Sequence, residues 1–151
     1  MGSSVDPTLE IAAIVARLQA LTGETYEGVP QGEDLPRDAY GRKDPYRDFE
    51  AGSVIPSAQQ RGVSYNEQQQ PHVWAFQVHH YAPTRAQARN LAIETDRSLI
   101  GWGPTVNASP VSTFFFTMYD ETAKNGEKIG IIATRFYETE LGQSPDFSLT
   151  I

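Results

Sequence analysis

The sequence predicts an α+β fold: an antiparallel sheet of about four strands with two helices packed on one face, long loops and terminal arms. Three observations lead there. Apolar residues recur at helical spacing in two stretches. They alternate at period two in others. The order along the chain is helix, strand, strand, helix, strand, strand. At 151 residues the chain is sized for a single domain, 1–151, with an irregular region at about 24–70 and a C-terminal arm at about 142–151.

The first helix is marked by Ile11, Ile14, Val15, Leu18 and Leu21, which form one apolar stripe. Asp6 can cap it, and Pro7 suits its first position, where a missing N–H costs nothing. Gly23 stands where a left-handed residue would close it, giving a helix of roughly 15 residues. From Glu24 to Gln70 the punctuation by Gly28, Pro30, Gly32, Pro36, Gly41 and Pro45 allows no long element at first. Tyr46–Ile55 reads as a strand with Gly52 at a bulge or bend. Ala58–Gln70 is polar and Gln-rich; irregular stretches this long are usually functional or order on binding, which argues for a large partner.

The second half is more regular. In Val73–Tyr81 one face carries Trp74, Phe76, Val78 and His80, and the other carries Val73, Ala75, Gln77 and His79. Pro83 ends this strand. Thr84 and Gln87 form a capping box for a helix whose inner stripe is Ala88, Leu91, Ala92, Thr95 and Leu99. Gly101-Trp102-Gly103-Pro104 stops it. Val111–Tyr119 and Lys128–Tyr137 are strands joined by a short polar loop with Asn125-Gly126 as its turn, so they pair antiparallel. Phe114-Phe115-Phe116 places large rings on both faces of the first of these. Either helices cover one face and another subunit the other, or the core wraps around it. The tail Gly142–Ile151 alternates at its end and suits an added strand on a neighbour.

Composition removes several function classes. Lys plus Arg number 12 against 19 Asp plus Glu, a net charge of −7, so the chain is a poor general binder of nucleic acid. It has no Cys, which excludes disulfides, thiolate metal sites and Cys nucleophiles. The apolar run Ile11–Ala16 is too short to span a bilayer, and no basic segment precedes it as in a secretory signal. Asp6 stands where a myristoylation motif needs Ser or Thr. The expectation is a soluble chain made in the cytoplasm, with no membrane partner.

The search for chemistry is negative. His79 and His80 point to opposite faces of a strand and cannot both bind one ion, and His72 is seven and eight residues away with no clear carboxylate as a third partner, so no metal is expected. Glu138 and Glu140 share a strand face about 7 Å apart. Nothing apolar beside them suggests a raised carboxyl pKa, and a solvated acidic face is the simpler reading; Asp44, Asp48 and Glu50 invite the same acid–base reading and are weighed the same way. No serine sits in a Gly-x-Ser-x-Gly elbow. Gly101-Trp102-Gly103 lies at a helix C-terminus, where the dipole repels phosphate. No catalytic residue and no cofactor is expected. Trp102 reads as a lid over the helix end or as an interface anchor.

Four features taken together resemble the tail terminator proteins of long-tailed, siphovirus-like bacteriophages. They are the amphipathic helix Pro7–Leu21; Pro45-Tyr46 followed by Gly52-Ser53 after a loop; the strand-into-helix stretch Trp74–Arg85, continued by Ala88, Leu91-Ala92 and Leu99; and the exit Leu99–Pro104 before a final hairpin. The resemblance implies a non-enzymatic virion protein of α+β fold. Six copies usually form a ring at the head-proximal end of the tail, which stops tube polymerisation and presents a surface to the head–tail connector. Its partners would be itself, the major tail tube protein and the connector, and DNA would pass through the lumen without specific binding. Candidate subunit-interface residues are Trp102, Phe115, Tyr46, Phe49 and Phe147. A head-completion or neck connector protein is the nearest rival, and a small enzyme or ligand-binding domain a more distant one.

Overall fold

Residues 6–28, 45–56, 72–122 and 126–142 are described by a computed structural model. Its elements are α1 (Thr8–Gln19), β1 (Glu24–Tyr26), β2 (Tyr46–Pro56), β3 (His72–Ala82), α2 (Arg85–Leu99), β4 (Ser112–Thr122) and β5 (Lys128–Leu141). The expected features of Ala58–Gln70, the turn at Asn125 and the arm from Gln143 lie outside the described residues.

The five strands form one sheet in the order β1-β2-β3-β5-β4. Strands β2 to β5 pair antiparallel, whereas β1 joins the edge of β2 in parallel, Glu24 opposite Tyr46. The sheet is therefore mixed and five-stranded, which corrects the expected antiparallel sheet of about four. A three-residue strand carries no readable alternation, and β1 sits among glycines and prolines.

Both helices pack on one face. Thr84 accepts a hydrogen bond from the Gln87 amide at 3.2 Å, and all five expected inner residues of α2 are buried. The second half of the capping box differs: the Gln87 side chain accepts from the Thr84 hydroxyl instead of reaching the backbone. Helix α1 is shorter than expected, 12 residues, with Pro7 as its N-cap and Ala20 as its C-cap. Asp6 accepts from the amide and hydroxyl of Thr8. Gly23, at φ 83°, turns the chain into β1 where Pro45 O would lie 3.2 Å from a Cβ.

The main core joins Ile14 and Leu18 of α1, Leu99 of α2, and Phe49, Trp74, Phe76, Val78, Tyr137 and Leu141 of the sheet. Phe76 stacks near Tyr137 at 5.4 Å and near Trp74 at 5.0 Å. The β2–β3 register shifts between Ala51 and Val54, as Gly52 suggested. A Cβ at Gly52 would come within 2.4 Å of Ala75 O, so only glycine fits.

A polar network runs through this core. Arg47 of β2 is fully buried. Its guanidinium donates to Thr95 Oγ1 at 2.7 Å, to Glu94 Oε1 at 2.7 Å, to the Thr22 carbonyl at 2.5 Å and to the Leu91 carbonyl at 3.4 Å. Burial pulls the Arg47 pKa down, and the Glu94 carboxylate opposes that shift. Burial also pushes Glu94 up, but its hydrogen bonds from Thr22 and Arg47 prevail and hold it below the usual range. His80 completes the network. Its Nδ1 lies 2.8 Å from Ala133 O, a pure acceptor, so Nδ1 carries the proton and Nε2 accepts from the Thr95 hydroxyl at 2.7 Å.

Replacing Arg47 with Met should lower unfolding free energy by about 3–5 kcal/mol, because the carbonyls of Thr22 and Leu91 lose a buried partner. Arg47→Lys should recover little of it, since one ammonium cannot reach four acceptors. Urea denaturation of the three proteins checks both.

His80 supplies a pH dependence of known sign. Burial, opposed by the bond to Ala133 O and reinforced by the charge of Arg47, lowers its pKa to about 3. The fold thus binds neutral His80, while the unfolded chain protonates near pH ~6.5. Its contribution is complete above pH ~6.5 and is lost as pH falls toward 3, at up to ~1.4 kcal/mol per pH unit. His80→Gln should flatten the stability profile between pH ~6.5 and ~5 relative to wild type. Asp48, raised chiefly by burial, has the opposite slope, and the wild-type comparison cancels it.

Candidate assembly surface

The helices cover one face of the sheet and leave the other open. Register places Tyr46, Asp48 and Glu50 of β2 on the open face, beside Tyr81, His79 and Gln77 of β3. Ile132, Thr134, Phe136, Glu138 and Glu140 of β5 follow, and then Tyr119, Thr117 and Phe115 of β4. The expected shared facing of Glu138 and Glu140 holds.

The aromatic residues of this face separate into two groups. At the β1 end Tyr46 stacks on Tyr81 with ring centres 4.5 Å apart, and Tyr26 meets Tyr46 edge-on at 5.6 Å. This cluster is closed: Tyr46 is 1% exposed. Burial raises the Tyr81 phenol to about 12. At the β4 end the rings are open. Phe114 and Phe115 are 54% and 55% exposed, and Tyr119 and Ile129 of the same hairpin are also exposed. These are four of the eight exposed large apolar side chains among the described residues, so the hairpin is where apolar surface concentrates.

A register shift between Thr113 and Phe115 explains the pairing of the two phenylalanines. Strict alternation would send Phe114 to the helix side with Phe116. The shift instead brings both rings to Phe136, Phe115 at 5.3 Å and Phe114 at 6.0 Å. Phe116 keeps to the helix side, beneath the Arg135 guanidinium at 4.2 Å.

The five candidate interface residues fare differently. Phe115 lies on the open edge. Trp102 is half-buried: it packs on the main core with the Arg17 guanidinium 4.4 Å above its ring, and Arg17 also donates to Ser98 O at 2.8 Å. Those contacts suit the lid over the end of α2. Tyr46 and Phe49 are corrected: at 1% and 2% exposure they fill the chain's own interior and offer no surface to a neighbour. A strand that enters between β1 and β3 buries its aromatics locally, which its sequence does not reveal. Phe147 lies outside the described residues. Sequence reasoning missed Phe114 and Tyr119; the bulge that exposes Phe114 left no Gly or Pro signal.

The described titratable groups on the sheet bond mainly to one another and to the fold. His79 Nε2 donates to Glu50 Oε1 at 2.8 Å, and Nδ1 lies 2.8 Å from Thr134 Oγ1. This order of carboxylate, imidazole and hydroxyl resembles a nucleophile relay, but Thr134 is buried, at 2% exposure. His80 faces the helices and His79 the open side, as their spacing implied. Among the described residues no group of three His, Asp or Glu could hold a metal ion. A groove between Gly23, Pro45 and the outer side of α2 contains Glu24, Glu94 and Arg97. Glu94 there is committed to Arg47 and Thr22. No helix of the described residues is long and apolar enough to cross a membrane.

No protein-family model matches the chain, and no curated protein matches it in sequence.

Phe114→Ser combined with Phe115→Ser should leave the melting temperature within about 3 °C of wild type, because half-exposed rings carry little folding energy. It should also reduce binding of a dye specific for exposed apolar surface. A thermal scan and a dye titration check the two halves.

Proposed function

We propose that the chain is a structural virion subunit, a tail terminator that forms a ring on the head-proximal end of a phage tail tube, stops its growth and offers the surface for the head–tail connector. The sequence resemblance names the class. The observation that carries the assembly part is β4, an 11-residue strand at the edge of the described sheet, whose Phe114, Phe115 and Tyr119 are exposed. An edge of this kind joins further chain unless it is covered.

The charge supports the same reading. Asp48, Glu50, Glu138 and Glu140 lie on the open face. Acidic walls repel phosphates, which suits a channel through which DNA slides without sticking. The relay at His79 lacks an accessible nucleophile, so an enzymatic reading has no comparable support.

Full-length protein should sediment as a closed multimer, about six times the 16.7 kDa chain if the family's usual stoichiometry applies. Added to polymerising tail tube protein, it should arrest elongation. A protein that remains monomeric at all concentrations and on tubes would overturn the reading. Binding to connector but never to tubes would reassign it to the neck.

A further inference from the structure

We propose that the outer edge of β4 receives residues 146–151 of a neighbouring copy as an added strand. This deepens the ring reading and rests on it.

The receiving edge is regular. Pairing to β5 runs without interruption from Phe115, opposite Phe136, to Glu121, opposite Gly130. Among the described residues the sheet ends at β4. Natural edge strands are guarded by lysines, prolines or bulges. β4 contains no Lys and no Pro, and its bulges lie at the two ends of this regular stretch.

The donor is Asp146-Phe147-Ser148-Leu149-Thr150-Ile151. It alternates polar and apolar residues and carries one charged side chain. Six residues span ~20 Å in a strand, which matches the regular stretch of β4. With its apolar side on the open face, Phe147, Leu149 and Ile151 would extend the surface of Phe115 and Tyr119.

The route argues for a neighbour rather than the chain's own tail. Strand β5 ends at Leu141, which bridges Ala108, and the Ser109 amide donates to Glu140 O at 2.9 Å. The segment leading into β4 thus runs directly beside the exit of β5. To reach the outer edge of its own β4, the tail would have to cross that segment at the same end of the sheet, a crossing that protein chains avoid. A tail from a second copy makes no such crossing. Each copy then gives one strand and receives one, a heterologous contact that closes into a ring.

The chain has no cysteine, so single substitutions permit clean disulfide trapping. One preparation carries Thr117→Cys; two others carry Phe147→Cys or Leu149→Cys, which the proposal places on the same face as residue 117. Mixed and oxidised, Thr117→Cys should cross-link to at least one tail variant as a covalent dimer of unlike chains. Residues 1–143 alone should sediment as monomer, with a melting temperature within about 3 °C of the full chain. Three results overturn the proposal: a bond that forms only within a doubly substituted chain; Thr117→Cys pairing only with itself; or multimers that persist in 1–143. The last leaves the ring reading intact, whereas a full-length chain that never multimerises removes both.

Discussion

The buried guanidinium of Arg47 is the constraint on which the remainder of the structure depends. It ties β2 to the turn after α1 through Thr22 and to α2 through Leu91, Glu94 and Thr95. Thr95 in turn meets His80 of β3, which is bound to Ala133 of β5. A buried charge is costly unless its donors are satisfied. The elements around Arg47 therefore have little freedom to shift, and the hydrophobic core forms in the frame that they define. A second polar link acts at the other side of α2. Asp96 accepts from Tyr137 at 2.6 Å and pairs with Arg135 at 2.7 Å, so helix and sheet are registered twice.

Concentrating the helices on one face has a consequence for the other. Four long strands present a second surface that two helices cannot cover. Near β1 that surface is sealed by the stack of Tyr26, Tyr46 and Tyr81, and in its middle it is polar, with Glu50, His79 and Thr134 bonded to one another. Among the described residues, it becomes apolar and exposed at β4. The described sheet thus ends in a strand with exposed rings, a margin that would suit the ring subunit proposed above.

The same geometry ties the two described strand histidines His79 and His80 into the fold. His80 is neutral and enclosed, and the hydroxyl beside His79 is under the sheet surface. General acid–base catalysis needs a group that meets both substrate and a partner of matched pKa. The groups here meet each other instead, and their bonds hold strands in register.

Much of the fold was legible in the sequence. The inner stripe of α2, the cap at Thr84, the alternation of β3, the bulge at Gly52 and the final hairpin follow from spacing and residue type, because local periodicity and turn chemistry decide them. The candidate surface was legible in part: Phe115 was expected at an interface, and the excess of rings in Phe114-Phe115-Phe116 pointed to incomplete cover. Four things only the tertiary structure decided. β1 is too short to leave a pattern and exists because β2 offers it an edge. Tyr46 and Phe49 are interior because β1, β3 and α1 close over them. Arg47 is buried although its charge predicts exposure, because four acceptors from two other segments, the turn after α1 and helix α2, converge on it. Phe114 is exposed because of a register shift between β4 and β5. Each depends on contacts between residues far apart in the chain, which no local pattern encodes.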